Sequence, residues 1–479
     1  MQNPDTPRAI VRHLRDIEAD ELAANAMDNE PGAAGEFTDT DLANAQRFAR
    51  RHGAEVRFTA ERGWFVYDGR RWAPDEKSVQ VQARAKETAL SIFDEIRDAP
   101  KRDAAWRHAR ASQSRKSIDA MIYLARSESG IPARITDFDA DPWLLNCLNG
   151  TLNLRTGELA PHRREDLITN LAPVAYEPEA PCDLWISFLQ RVLNDAELFD
   201  YFWRMVGYLL TGLTSEQVLH FLFGLGANGK SKVCETLLAL LGDYAIVAGP
   251  ELIIARRHRG IPNDIARLRG VRVALMNETS QGSRFDEARL KDLTGGDSLS
   301  GRFLHQEFFD FPPTHKLLIR GNHKPAISGT DEGMWRRLRL VPFTVQIPED
   351  EQDRDLGDKL RVELPGILRW AVQGCLRWQR EGLRPPSCVR DAVEQYRSES
   401  DTLGRFIDER CEVGKLAQVK SSAFFAEYQR YAEQAGDRWI PSKDLPMEMQ
   451  RRGFDHTKRN SGALYLGIEL RCAPDWGPE

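Results

Sequence analysis

Residues 218–231 read VLHFLFGLGANGKS. The run 218–223 is short, apolar and rich in Leu and Phe, which predicts a buried strand. The ten residues that follow Ser231, KSKVCETLLALL without its first pair, carry apolar positions at helical spacing. Between them lies a glycine-bounded loop in the strand-loop-helix context that phosphate binding requires. Gly224 and Gly229 let the backbone turn and bring N–H groups against phosphate oxygens, with Leu225, Gly226, Ala227 and Asn228 completing the loop. Lys230 supplies a mobile cation for the β and γ phosphates, the Ser231 hydroxyl can ligate Mg²⁺, and Lys232 opens a helix whose positive dipole end faces the anion. Residues 224–232 are therefore the expected ATP-binding segment, with Mg²⁺ as the accompanying metal.

Working outward, VRVALM (271–276) predicts a second strand, ending in Asn277-Glu278. A carboxylate at that place can orient an attacking water and help to hold the metal, so Glu278 is a candidate catalytic and metal residue. Asn277 stands where an aspartate would hold the hydration shell of Mg²⁺ more firmly. A third strand, HKLLIR (315–320), runs into Gly321-Asn322-His323 and sets the Asn322 amide at a strand tip, where it can sense a γ-phosphate. Beyond it, DEGMWRRL (331–338) carries Arg336 and Arg337, either of which suits an arginine finger reaching a neighbour's ATP.

The order of these motifs resembles the superfamily 3 helicases, specifically the phage/plasmid and poxvirus-type primase-helicase family. The resemblance covers residues 37–475 and is strongest over 147–343. It implies a multidomain α/β chain whose AAA+-like P-loop ATPase core works as a homo-oligomeric, hexameric ring. The segment LKDLTGGDSLSGRFLHQEFFDFPPTHK (290–316) is similar to the family's DNA-touching hairpin, with Lys291, Arg302 and His305 as candidate contacts. A cation on a nucleotide-driven loop can grip successive phosphates of one strand.

The flanks divide as follows. Residues 1–36 are polar, end in PGAAG, and are expected to be a flexible tail. Residues 37–135 read as an α+β and helical module. It holds a capped helix around Arg47-Phe48, strands around Trp64-Phe65-Val66-Tyr67, and a solvated helical pair over 78–128. LLNCLNGTLNL (144–154) predicts a hairpin turning at Asn149-Gly150. The resemblance makes residues 136–205 a helical collar before the motor, 206–398 the ATPase domain, and 399–479 a winged-helix DNA-binding domain. Trp370 and Trp378 recur at helical spacing with Leu and Ile, which points to packing rather than base stacking.

Composition sets the outer bounds. A chain of 479 residues, 41% hydrophobic, is long enough for several cores. The net charge of −6 provides no global attraction to nucleic acid, so DNA contacts must come from local basic surfaces. The seven cysteines form no C-x-x-C pair, which argues against a zinc ribbon and a disulfide framework. No apolar run approaches membrane-span length and no secretory pattern opens the chain, so no membrane partner is expected and the expected location is the cytoplasm of a bacterial host or virus-infected cell. About 36 residues precede Phe37, too few for a primase domain, so a separate primase or polymerase is the expected partner.

The reading is an ATP-dependent DNA helicase that translocates on single-stranded DNA and unwinds fork DNA in phage, plasmid or mobile-element replication. Two alternatives stand beside it: an origin-binding initiator that melts DNA locally, and a nucleotide-gated assembly factor with weak turnover.

Overall fold

The structure is a computed structural model that describes residues 39–99, 101–255, 263–277, 283–302, 308–327, 332–459 and 462–471. The chain divides into two compact units. Of the described residues, one unit takes 39–59, 63–66 and 75–133, and the other takes 60–62, 67–74 and everything from 134 onward.

In the first unit, the helix Asp41–His52 starts at Thr40, whose hydroxyl accepts the Ala43 N–H at 3.1 Å. The strands Val56–Thr59 and Gly63–Tyr67 pair as an antiparallel hairpin, with Val56 opposite Val66. The stretch expected as a solvated helical pair is three helices, Val79–Glu95, Arg102–Ser112 and Arg115–Ala125. They are amphipathic rather than solvated all round: Val81, Ala85, Ile118 and Met121 join Phe48, Val56 and Trp64 in one core.

The second unit is built on a five-stranded parallel sheet: β1 (Leu219–Phe223), β2 (Ala245–Ala248), β3 (Val273–Met276), β4 (Lys316–Gly321) and β5 (Leu338–Pro342), in the order β5-β1-β4-β3-β2. Both faces are covered, and the two-residue period of a strand shows it. Leu222, Val273, Leu275, Leu318 and Val341 point into one core, while Leu219, Phe221, Ala274, Met276, Leu317, Ile319 and Leu340 point into the other. Strand β2 was not anticipated from the sequence. It is a four-residue edge strand whose Val247 remains half exposed, too short to display a periodicity.

Against the first core pack the helices Asp183–Leu193, Ala196–Leu209, Leu364–Glu381 and Lys230–Leu241, the last labelled α1. Two of these cross at paired glycines. A Cβ on Gly207 would lie 2.1 Å from the Cys375 amide nitrogen, and one on Gly374 would lie 2.3 Å from the Trp203 carbonyl oxygen. Trp370 and Trp378 are buried there, with Trp370 stacked on Trp203 at 6.1 Å.

Residues 144–160 form a three-stranded antiparallel sheet, so the segment expected as a helical collar opens with strands before its helices. In that sheet Cys147 pairs with Gly150, which makes Leu148 and Asn149 the hairpin loop and moves the turn one residue earlier than expected. The last part of the unit runs helix Thr402–Arg410, strand Cys411–Lys420, helices Ser421–Ala435 and Leu445–Arg451, then strands His456–Arg459 and Gly462–Leu470. Its own core holds Phe406, Phe424, Tyr428, Tyr465 and Ile468. The chain is thus a multidomain α/β protein with a parallel sheet and many helices. Among the described residues, no helix is long and apolar enough to cross a membrane.

Candidate active site

Strand β1 ends at Phe223, and the loop to α1 makes three positive-φ steps, at Gly224 (156°), Ala227 (57°) and Gly229 (83°). Both glycines are demanded twice over, by φ and by space. A Cβ on Gly224 would lie 2.1 Å from the Phe343 carbonyl oxygen, and one on Gly229 would lie 2.8 Å from Val192 Cγ1.

The loop folds around Lys230. Its Nζ donates to the carbonyl oxygen of Gly224 at 2.6 Å, to Asn228 Oδ1 at 2.8 Å and to the Leu225 carbonyl oxygen at 3.3 Å. Asn228 is itself buried, and its Nδ2 donates to the Phe343 carbonyl oxygen at 2.9 Å. The Ile347 N–H donates to the Ala227 carbonyl oxygen at 2.8 Å. The chain leaving β5 therefore braces the loop from behind, a role for Asn228 that its place in the motif did not disclose. Leu225, Gly226, Ala227 and Ser231 are exposed.

Parallel register brings the remaining candidates alongside. Phe223 pairs with Gly321, so Gly224 and Asn322 step off the sheet side by side. Met276 pairs with Ile319, which places Asn277 at the same edge. The loop from Gly226 to Lys232, Asn277 and Asn322 line one cleft of 670 Å³. Arg320 lines it too, adding a cation that the sequence reading did not select. Leu184, Phe188, Ile347 and Leu356 line the cleft as well, with Arg191 paired to Glu351. These come from helices and a loop distant in sequence, so no local pattern marks them.

Other candidates lie elsewhere. Neither Arg336 nor Arg337 lines the cleft. Arg336 is exposed, whereas Arg337 is buried and donates through Nη1 to the Gly333 carbonyl oxygen at 2.6 Å. Lys291 sits on the helix Glu287–Thr294, and Arg302 directly follows the strand Leu299–Gly301, which pairs with Phe309–Phe311 as a short antiparallel hairpin. Arg302 lies over the Phe308 ring at 4.9 Å. Glu278 and His305 lie outside the described residues.

Fitness for a nucleotide and its metal can be judged from these contacts. The loop turns exposed backbone toward the cleft, holds a lysine ammonium on neutral oxygens that a phosphate can replace, and opens a helix at the same point. Ser231 and Asn277 bring neutral oxygen donors to the cleft, the kind Mg²⁺ and its waters accept.

Comparison with known proteins follows the same direction. Residues 45–194 match the family model described as D5 N terminal like. A "putative helicase" of Acanthamoeba polyphaga mimivirus is 25% identical over 299 residues, which cover 58% of this chain and 31% of that protein. A "putative helicase" of Frog virus 3 is 30% identical over 254 residues, covering 48% and 26%. A "putative primase" of African swine fever virus is 28% identical over 303 residues, covering 58% and 31%. The chain thus spans less than a third of the length of these relatives. Among solved structures, the apo NrS-1 C-terminal region aligns over 90% of this chain and 99% of its own, at 10% identity and a TM-score of 0.48. Residues 45–194 are thus D5 N terminal like, and about half of the chain is similar to viral proteins named as helicases or primases.

Proposed function

We propose that this chain is the ATP-driven helicase portion of a DNA replication protein. The observation that carries the reading is Lys230, held by loop oxygens at the carboxyl end of β1 and sharing a cleft with Asn277 and Asn322. The strand order β5-β1-β4-β3-β2, with the loop-bearing strand flanked on both sides, supports an AAA+-like P-loop core.

In this reading the amides of residues 224–229 and Lys230 bind and orient the phosphates of ATP, and the apolar wall of Leu184, Phe188, Ile347 and Leu356 receives the base. Mg²⁺, when bound, supplies charge neutralisation between the phosphates, and Ser231 with Glu278 would hold it. Glu278 orients the attacking water and Asn322 senses the γ-phosphate. Arg336, being exposed, is the arginine free to reach a neighbouring subunit of a ring, while Arg337 serves its own turn. Single-stranded DNA is the track, gripped by the hairpin that carries Arg302.

A second reading, origin recognition, rests on the C-terminal succession helix, strand, helix, helix, strand, strand, which is the arrangement of a winged helix. Sequence-selective duplex binding would favour it.

The test is steady-state ATP hydrolysis with Mg²⁺, with and without single-stranded DNA. Turnover should rise with DNA and vanish in Lys230→Ala, and Glu278→Gln should retain ATP without turning it over. ATP binding with no turnover in the intact chain would overturn the helicase reading in favour of a nucleotide-gated assembly factor.

A further inference from the structure

The chain carries a net charge of −6, yet KRDAAWRHARASQSRK (101–116) holds six lysines and arginines against one aspartate. The helix Arg102–Ser112 divides this stretch into two faces. On the inner face Ala109 and Ser112 are buried, and His108 Nε2 lies 3.0 Å from Asn44 Oδ1 and 3.3 Å from Ser112 Oγ. Asn44 is fully buried and its Nδ2 donates to Ser112 Oγ at 2.9 Å, so a polar network pins this helix to Asp41–His52. Burial lowers the His108 pKa, which keeps the ring a neutral member of that network.

The outer face is what the network presents. Arg102, Trp106 and Arg110 follow at four-residue spacing with Arg107 beside them, and all four are exposed. Trp106 shows 49% of its surface, unlike Trp370 and Trp378 in the core. Arg110 lies over its ring at 5.6 Å. Arg102 and Arg107 donate to the carbonyl oxygens of Arg97 and Asp103, each at 3.2 Å. Among the described residues, no ion pair joins Lys101, Arg102, Arg107 or Arg110 to a carboxylate.

We propose that this face binds single-stranded DNA, with Arg102, Arg107 and Arg110 on the phosphates and Trp106 stacked on a base. Unneutralised cations beside an exposed aromatic ring match a strand whose bases are free to stack; a duplex offers phosphates but conceals its base faces. The helix is about 16 Å long at 1.5 Å per residue, enough for a few nucleotides. The surface lies in the first unit and extends the helicase reading with a DNA site that does not depend on the nucleotide cleft.

The test uses the full chain without nucleotide, measuring anisotropy of a labelled oligothymidine across a salt series. Arg107→Glu with Arg110→Glu should weaken binding at least ten-fold. It should also reduce the slope of log K against log salt by about 1.4, from about 0.7 for each single-strand phosphate contact. Trp106→Ala should weaken binding about ten-fold with the slope unchanged. Oligonucleotides carrying 5-iodouracil should crosslink within 101–116. Melting temperature and DNA-independent ATP hydrolysis report folding, and the Arg107→Gln, Arg110→Gln pair replaces the reversal if that variant is unfolded. Unchanged affinity and slope, crosslinks confined to other segments, or equal competition by polyglutamate would overturn the proposal. Because nucleotide is absent, unchanged DNA binding in these variants with ATP turnover intact refutes only this site, and absence of turnover with the binding losses observed refutes only the motor reading.

Discussion

Two lysines occupy opposite ends of the same parallel sheet. Lys230, after β1, is 6% exposed and donates to oxygens of its own loop; Lys316, at the start of β4, is 2% exposed and donates to the carbonyl oxygens of Thr211 and Thr314. Both look like buried cations satisfied by neutral oxygens. They differ in what lies beyond them. Lys230 borders a 670 Å³ cleft where glycine loops and strand tips converge. Lys316 faces the Tyr208 ring at 5.1 Å and, directly before the neighbouring strand, the buried Arg272, which donates to the Leu144 and Leu210 carbonyl oxygens and lies over Tyr244 at 4.3 Å. Burial drives the Lys316 pKa far down, and the Arg272 charge adds to it. Burial of a charge is therefore not a mark of function by itself. Position at the carboxyl edge of parallel strands, with space in front, is what separates the two.

The widest separation is expected from paired substitutions. Lys230→Ala should cut ATP turnover by more than 100-fold, with a stability loss of no more than about 1–3 kcal/mol from the Gly224 and Asn228 oxygens that lose their donor. Lys316→Met, which removes an expensive buried ammonium at similar volume, should keep turnover within about two-fold and melt no lower than the parent. Loss of turnover without loss of stability in Lys316→Met would erase the distinction.

The arginine pair sharpens the same contrast on a smaller scale. Arg336→Ala should lower hydrolysis at least ten-fold with nucleotide binding and stability retained. Arg337→Ala should instead destabilise by about 1–3 kcal/mol in chemical denaturation, because a buried side chain and its hydrogen bond to the half-buried Gly333 are lost. Mixing Arg336→Ala with Lys230→Ala subunits should restore part of the turnover if sites are shared between subunits. No restoration at any ratio argues against a ring with shared sites.

A separate effect, away from the cleft, is expected with pH. Burial lowers the pKa of His220 to about 3 and of His315 to about 4, from 6.5. Both rings stay neutral in the fold while the unfolded chain takes up protons. Their stabilisation is thus complete above about pH 6.5 and is lost as pH falls toward 4. At pH 5 each should have given up roughly 2 kcal/mol, seen as a shift in the urea midpoint. Replacing either histidine with glutamine should flatten the curve; an unchanged slope would show that the ring is not held neutral.

How much could be read in advance follows the range of each interaction. The strands and helix around residues 218–241 were legible because turn chemistry and periodicity act over a few residues, and strand ends moved by only one or two positions. Strand β2 was illegible because four residues, of which only Ala248 is buried, hold no pattern. The difference between Arg336 and Arg337, adjacent and chemically alike, has no local signature, since only the turn back to Gly333 buries one of them. The outward Trp106 and the buried Trp370 are likewise indistinguishable until their helices acquire neighbours.

By itself, then, the order of residues determined the glycine loop, its lysine and the strand-tip asparagines, because these rest on contiguous segments. Tertiary structure alone decided that Phe343 and Asn228 brace the loop, that Phe188 and Leu356 face it, and which of two buried lysines borders open space. Those facts depend on parallel register and on helices packed across more than a hundred residues of chain, where no short-range rule reaches.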